Sequence, residues 1–157
     1  KNEPCLFTRF GDGTYGVWYG SIEMKTTVFE TGFHMIKAER AVEGLDEVVV
    51  RERAVYRVHC SAILIDLRGK QKSFPKLLAD DYGFTQQIGQ RMNREWHPGL
   101  LVPSARFKGT NMVILNPSVL SNPRLHCYLT YFFDPLTLNL RVERTVGRTW
   151  LKVDGRK

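Results

Sequence analysis

The amino-acid sequence predicts an α+β fold, with a mixed β-sheet core and a few helices. Several segments rich in β-branched and aromatic residues have the length of strands. Two or three other segments are helical in character, and the longest carries apolar residues at helical spacing. Strands and helices do not alternate regularly along the chain, as they would in a doubly wound sheet.

The N-terminal part is predicted to hold a short strand, a glycine turn and a long helix. Residues 5–10 are strand-like, and "GDGTYG" follows as a turn because glycine tolerates backbone angles that other residues avoid. Ser21 is a suitable N-cap for a helix that ends near Ala41, before Gly44. At 3.6 residues per turn, one apolar stripe of this helix comprises Ile22, Thr26, Phe29, Phe33 and Ile36.

The remaining elements are mostly strands. β-branched residues dominate 48–67 and predict two strands, the second ending near Asp66. "SFPKLLADD" predicts a short helix or turn, and "TQQIGQRMNREW" predicts a helix with Thr85 as its cap. Further strands are predicted at "GLLVPS", "NMVILNP", "LHCYLTYFFD" and "LNLRVERTV". "DPLT" is a turn that joins the last two as a hairpin.

Length and composition set the general class of the protein. The 157 residues predict a single domain spanning 1–157, and a first residue Lys1 in place of Met predicts that the natural N-terminus lies upstream. No apolar run approaches about 18 residues, so no membrane span is expected. Three widely separated cysteines predict reduced thiols and a cytoplasmic location. Together with four scattered histidines, they offer no metal-ligand spacing, so no metal site is expected.

Two charged side chains are candidates for ligand contact. Arg9 lies between Phe7 and Phe10, where its guanidinium either follows ordinary strand alternation or binds a phosphate or carboxylate. Glu30 follows Phe29 on the predicted helix, at roughly 80° from the centre of the apolar stripe. A carboxylate at that edge can line a cleft, although most boundary carboxylates are simply solvated.

Polar residues on or after predicted strands are further candidates. Trp18 and Tyr19 are adjacent, so on an extended chain one can face the core and the other a pocket. Ser104 follows the strand "GLLVP", where a hydroxyl can contact a ligand or cap a turn. Arg106 and Asn111 lie just beyond it as secondary candidates.

Taken together, these positions resemble the RES family, named for its arginine, glutamate and serine. The arginine lies in "FTRF", the tyrosine in "VWYGS", the glutamate in "KTTVFETGFH" and the serine in "GLLVPSAR". Arg9 precedes Tyr19 by ten residues, and Tyr19 precedes Glu30 by eleven. "LLVPSARFKGTNMVIL" is the most specific segment, and the resemblance extends from about Phe7 to about Leu140.

The resemblance implies a fold akin to the ADP-ribosyltransferase toxins, with a cleft that binds NAD. Many RES proteins are bacterial toxins of toxin–antitoxin pairs, silenced by an antitoxin with a helix-turn-helix domain. They cleave the nicotinamide–ribose bond by phosphorolysis or hydrolysis, or they transfer ADP-ribose to a protein. NAD is then a consumed substrate, inorganic phosphate is a candidate co-substrate, and no resident cofactor is expected.

Carried onto this chain, the resemblance makes Glu30, Arg9 and Tyr19 the candidate catalytic side chains. A carboxylate such as Glu30 stabilises the positive charge that develops on the ribose as the bond breaks. Arg9 would bind the pyrophosphate of NAD or an attacking phosphate, and Tyr19 would offer a ring face and a hydroxyl. The other candidates for substrate binding are Ser104, Arg106 and Asn111.

The net charge and the motifs present bear on other possible functions. A mono-ADP-ribosyltransferase that modifies a protein and a non-catalytic basic module that binds nucleotide or nucleic acid both stay open. The net charge of +7 favours anionic partners, but the basic residues are dispersed and form no block or basic helix with aromatic residues, so direct nucleic-acid binding is not expected. The sequence also has no GxGxxG loop in a βαβ context, which argues against a Rossmann dehydrogenase.

Overall fold

The computed structural model describes residues 5–156 and confirms the α+β class. Within these residues, eight strands form two four-stranded sheets, and there are two α-helices. In chain order they are β1 Trp18–Ser21, α1 Met24–Glu39, β2 Val49–Cys60, β3 Ile65–Asp66, α2 Gly83–Arg94, β4 Gly99–Pro103, β5 Thr110–Ile114, β6 Leu120–Asp134, β7 Asn139–Thr145 and β8 Arg148–Asp154.

The chain divides into two compact units. The first unit comprises 5–27 and 60–121, and the second unit comprises 28–59 and 122–156. The expectation of a single domain over residues 1–157 stays a prediction. No helix within residues 5–156 is long and apolar enough to cross a bilayer.

The first unit is built on the sheet β1-β5-β4-β3. β5 runs antiparallel to both β1 and β4, whereas β3 runs parallel to β4. Directly opposed residues of an antiparallel pair lie on one face of the sheet. The core on that face joins sheet residues to α2 and to the chain before β1, through Phe10, Met92, Leu100, Val102, Val113 and Leu115.

The second unit is built on the sheet β2-β6-β7-β8, which packs against α1. The predicted "DPLT" hairpin is confirmed: β6 and β7 pair antiparallel with Asp134 opposite Asn139. The Asp134 carboxylate accepts from the backbone N–H of Leu136 at 2.9 Å and from the Thr137 hydroxyl at 2.7 Å. The buried core comprises Val28, Met35, Ile36, Val49, Leu129, Tyr131, Phe133, Leu140, Val142 and Val153.

Helix α1 differs from the prediction in its start and in its buried face. It begins at Met24, and Ser21 is the last residue of β1 instead of a helix cap. Of the predicted stripe, Thr26 and Ile36 are buried and Phe29 packs against the core of the second unit, but Ile22 lies outside the helix and is exposed. Val28, Gly32 and Met35, which the prediction left out, are buried as well. The reason is close packing: a Cβ on Gly32 would lie 2.7 Å from Cδ2 of Leu140, so the glycine brings the helix onto β7.

The predicted strand over residues 5–10 is wrong. Among the described residues before β1, the only β pairing is an isolated bridge between Phe7 and Asp12. Thr8 and Gly11 instead form a tight turn, with Thr8 N donating to Gly11 O at 2.8 Å. The turn allows Phe10 to be fully buried in the core of the first unit, which outweighs its strand propensity. We call residues 8–11 the N-terminal turn.

Helix α2 begins at Gly83, two residues before its predicted start. Thr85 therefore lies inside the helix and donates its hydroxyl to Tyr82 O at 3.1 Å. The two strands predicted in 48–67 are confirmed as β2 and β3, and the later four as β4 to β7. Strands β1 and β8 were not predicted.

Candidate functional site

Arg9 is anchored by the segment that precedes α2. Its Nη1 donates to the backbone oxygens of Leu77, at 3.3 Å, and of Ala79. Its guanidinium carbon lies 4.8 Å from the centre of the Tyr82 ring, a cation–π distance. Only 15% of the Arg9 side chain is exposed. The arginine between two phenylalanines therefore points into the first unit and holds its own turn against residues 77–82.

Tyr19 is bound to the N-terminal turn on either side of Arg9. Its hydroxyl accepts a hydrogen bond from Phe10 N at 2.9 Å and donates one to Thr8 Oγ1 at 2.9 Å. Burial raises the pKa of the Tyr19 phenol above its ordinary value, so the phenol is protonated at neutral pH. Tyr19 can therefore offer a ring and a neutral hydroxyl, but it is not a general base at that pH.

Helix α2 supports the same turn from the other side. The Gln86 side-chain amide donates to the backbone oxygens of Thr8, at 3.0 Å, and Gly11, at 3.3 Å. Gly89 lies so close to the Phe10 carbonyl that a Cβ added there would overlap its oxygen. The carbonyls and N–H groups of the turn are thus fixed by named partners, which keeps Arg9 in one position.

Removing the Tyr19 hydroxyl should loosen the N-terminal turn. In Tyr19→Phe, the N–H of the buried Phe10 loses its acceptor, and we expect the free energy of unfolding to fall by about 1 kcal/mol. Urea denaturation followed by circular dichroism measures this change. The matched control is Tyr56→Phe, on an exposed ring in β2, which should leave the unfolding midpoint unchanged. Equal midpoints for both variants would contradict the anchoring role.

Ser104 forms a turn directly after β4. Its buried Oγ accepts from the backbone N–H groups of Arg106 and Phe107, both at 3.1 Å. Its own N–H donates to Gly109 O at 2.9 Å. The serine thus shapes residues 104–109 and fixes the backbone from which Arg106 projects; its contact with a ligand stays a prediction.

Arg9 and Arg106 meet at one carboxylate, that of Asp80. Oδ1 of Asp80 lies 3.8 Å from Nη2 of Arg9 and pairs directly with Nη2 of Arg106. Both arginine side chains are mostly buried, at 15% and 18% exposed, whereas the Asp80 side chain is 73% exposed. We call these three residues the Arg9–Asp80–Arg106 cluster; it places two positive charges around one negative oxygen.

Asn111 lies on β5 directly opposite Ser21 of β1. Its Oδ1 accepts the Ser21 hydroxyl at 2.7 Å. In the register of the sheet, Tyr19 is opposite Val113, which is two residues after Asn111 on β5. Tyr19 and Asn111 therefore lie on the same face of the sheet, the face that also carries the core. Trp18 occupies the other face, as the prediction for adjacent strand residues required.

Glu30 belongs to the second unit, whereas the other five candidates belong to the first. It is half-buried. Its half-burial fits the predicted position at the edge of a buried face, but the helix residues buried in the second unit are centred near Val28, Gly32 and Met35. At about 100° per residue, Glu30 is roughly opposite that centre. It shares its side of α1 with Thr26, one turn earlier.

The first turn of α1 contacts the loop that follows Ser104. A Cβ on Gly109 would overlap the Thr26 hydroxyl, so this glycine permits the approach. Glu23 joins the two segments, because its carboxylate accepts from Thr26 Oγ1 at 3.2 Å and from Thr110 N at 3.5 Å. The 104–109 loop and the start of α1 are therefore one connected structure within the first unit.

Two residues of the site were missed by sequence reasoning, Asp80 and Tyr82. Asp80 lies in "SFPKLLADD", which was predicted only as a short helix or turn, and Tyr82 follows it outside any predicted element. Their partner Arg9 is far away in the sequence: 70 residues separate it from Ala79, the residue before Asp80. No local pattern marks such a contact; two adjacent carboxylates before a helix are common solvent-facing residues.

The comparison with known families identifies one domain family. The family model described as RES domain matches residues 7–134 of the chain, a range that includes all six candidates. No curated protein matches the chain. Within residues 5–156, no group of three or more histidine, cysteine, aspartate or glutamate side chains is placed to hold a metal ion.

Proposed function

Because the chain belongs to the RES domain family, we propose that it consumes NAD by cleaving the nicotinamide–ribose bond, as an NAD phosphorylase or glycohydrolase. The family is associated with NAD-related toxin–antitoxin systems. We further propose that the protein is the toxin of such a pair, with an antitoxin that carries a helix-turn-helix domain as its partner. An ADP-ribosyltransferase-like fold is part of the same proposal.

The observation that carries the proposal is the convergence of Arg9 and Arg106. NAD contains a pyrophosphate, and guanidinium groups bind phosphate oxygens through paired N–H donors. In the first unit two such groups lie within reach of a single anionic oxygen. Tyr19, next to Arg9 through the N-terminal turn, would place its ring beside the ribose or nicotinamide.

The proposed reaction needs little acid–base chemistry at the leaving group. The bond between C1′ of the ribose and the pyridinium nitrogen breaks, and its electron pair leaves with nicotinamide, which becomes neutral. The ribose becomes an oxocarbenium-like cation, which is captured by water or by inorganic phosphate. A fixed carboxylate stabilises this cation more than it stabilises the substrate. We propose Glu30 for that role on the basis of the family pattern.

The remaining proposed contacts are hydrogen bonds to the ribose and phosphates. Asn111 supplies an amide on β5, which pairs with the strand of Tyr19, and Ser104 supplies a hydroxyl after β4, the other neighbour of β5. Arg106 supplies a second cation. Attack by phosphate gives a phosphorylated ADP-ribose, attack by water gives ADP-ribose, and attack by a protein side chain gives an ADP-ribosylated protein.

Product analysis of an NAD digest tests this proposal. We expect nicotinamide release from NAD, measured by chromatography in phosphate buffer and in a phosphate-free buffer of equal ionic strength. A phosphorylated product only in phosphate identifies a phosphorylase, and ADP-ribose in both buffers identifies a glycohydrolase. No nicotinamide release in either buffer, and no modified protein in a cell lysate with labelled NAD, would disprove NAD consumption.

A further inference from the structure

The segment before α2 presents one carboxylate to both buried arginines. It runs from a short 3-10 helix, Pro75–Leu77, to the start of α2 at Gly83. Its backbone oxygens bind Nη1 of Arg9, which leaves Nη2 directed at Asp80. The adjacent Asp81 is used differently, since its Oδ1 accepts from Gly83 N at 3.0 Å.

The geometry around Asp80 is that of a bound anion. A single oxygen, Oδ1, accepts a hydrogen bond from Nη2 of Arg106 and lies at ion-pair distance, 3.8 Å, from Nη2 of Arg9. A phosphoryl oxygen makes the same kind of contact, with comparable N–H donors and a larger negative charge. The carboxylate therefore occupies a position that would also suit a phosphoryl group.

The two halves of this cluster differ in how firmly they are held. The two arginine side chains are mostly buried, and the bonds of Arg9 to two carbonyls and its contact with the Tyr82 ring do not involve Asp80. Asp80 is largely exposed, so water competes well for its carboxylate. The carboxylate is thus the component that a ligand can displace most easily.

We propose that Asp80 is an internal competitor for the phosphoryl group of the substrate. In the free protein its carboxylate neutralises part of the charge of Arg9 and Arg106. On binding, a phosphoryl group takes its place between the two guanidinium groups, and Asp80 turns to solvent. Asp80 thereby lowers the affinity for phosphoryl ligands and discriminates against weakly charged anions. The choice of a phosphoryl ligand rests on the proposed function.

Calorimetric titration with inorganic pyrophosphate tests the proposal without NAD turnover. Asp80→Asn removes the charge and keeps the shape, and exposed ion pairs are weak, so we expect pyrophosphate to bind roughly three- to tenfold more tightly than to the unmodified protein. Arg106→Gln should weaken binding. Asp81→Asn is the matched control and should bind as the unmodified protein does. Thermal melting checks that all variants are folded.

Several outcomes would overturn the proposal. Asp80→Asn binding pyrophosphate no more tightly than the unmodified protein is one, and an equal gain in Asp81→Asn is another. An absence of pyrophosphate binding by folded Asp80→Asn is a third. Titrations are made at constant ionic strength, because salt screens the interactions of exposed charges and a difference in salt would itself change the apparent affinity.

Steady-state kinetics separates the two sources of the phosphoryl group. If the site binds the pyrophosphate of NAD, Asp80→Asn should lower the KM for NAD. If the site binds inorganic phosphate, Asp80→Asn should lower the KM for phosphate. Unchanged values of both constants would contradict the proposed role of Asp80 as a competitor. Tighter pyrophosphate binding by Asp80→Asn without any NAD cleavage would overturn the proposed function but leave the role of Asp80 intact.

Discussion

Replacing Glu30 with glutamine should lower the rate of nicotinamide release by about 10²–10³-fold, the usual loss when one group that stabilises transition-state charge is removed. The amide keeps the size of the side chain but lacks the negative charge that would face the ribose cation. Because the charge acts mainly in the transition state, the fall should be in kcat, with a smaller change in the KM for NAD. Nicotinamide release followed by chromatography measures both constants.

Two controls make the Glu30 result specific. The thermal midpoint of Glu30→Gln should stay close to that of the unmodified protein, since the residue lies off the buried stripe of α1. Glu43→Gln changes an exposed carboxylate just after the same helix and should retain full activity. If Glu30→Gln kept near-normal turnover, the proposed role of Glu30 would be wrong, whatever the protein does with NAD.

Substituting alanine for Gly89 should lower the free energy of unfolding by about 1–3 kcal/mol, as for other additions to a tightly packed core. The new methyl group would overlap the Phe10 carbonyl oxygen and lie 2.7 Å from the Tyr15 hydroxyl oxygen. Helix α2 or the N-terminal turn has to move to relieve this overlap. Since Arg9 is part of the N-terminal turn and would move with it, NAD cleavage should fall as well. Urea denaturation gives the change in stability.

Gly83→Ala is the matched control for Gly89, on the same helix. A Cβ on Gly83 meets its nearest neighbour, Oδ1 of Asp81, at 3.4 Å, an ordinary contact. Alanine also has the higher helix propensity, so this variant should be as stable as the unmodified protein or slightly more stable. Equal losses in both variants would mean that α2 simply tolerates no change, and would contradict the argument from the Phe10 carbonyl.

Local sequence signals were enough for much of the fold. The hairpin at "DPLT" was predictable because Asp134 supplies the turn contacts within three residues. The buried face of α1 was not, since Gly32 is at its centre. A hydrophobic pattern gives glycine no weight, so the predicted stripe was centred on Phe29 and Phe33, which are only half-buried. The space left by a glycine becomes visible only when its neighbour, Leu140, is known.

The candidate site divides in a similar way. Motif order identified Arg9, Tyr19 and Ser104, and the first unit connects them through the N-terminal turn and the Arg9–Asp80–Arg106 cluster. Their polar partners were beyond prediction from the sequence, because a carboxylate that meets an arginine at long range has no signature of its own. The prediction of a strand at residues 5–10 was wrong for the same reason. Strand propensity is a local property, whereas the burial of Phe10 depends on residues far away in the sequence.

The pairing of β1 with β5 also sets the order in which the protein can fold. Ser21 and Asn111 are 90 residues apart, and closing so large a loop costs entropy that is recovered only when both strands are present. During synthesis, β1 has to remain unpaired until β5 has left the ribosome. Arg9 is made early, yet the nascent chain lacks its partners at Leu77, Ala79 and Asp80 until about 70 further residues have been made. The first unit therefore cannot complete its sheet until β5 has been synthesised.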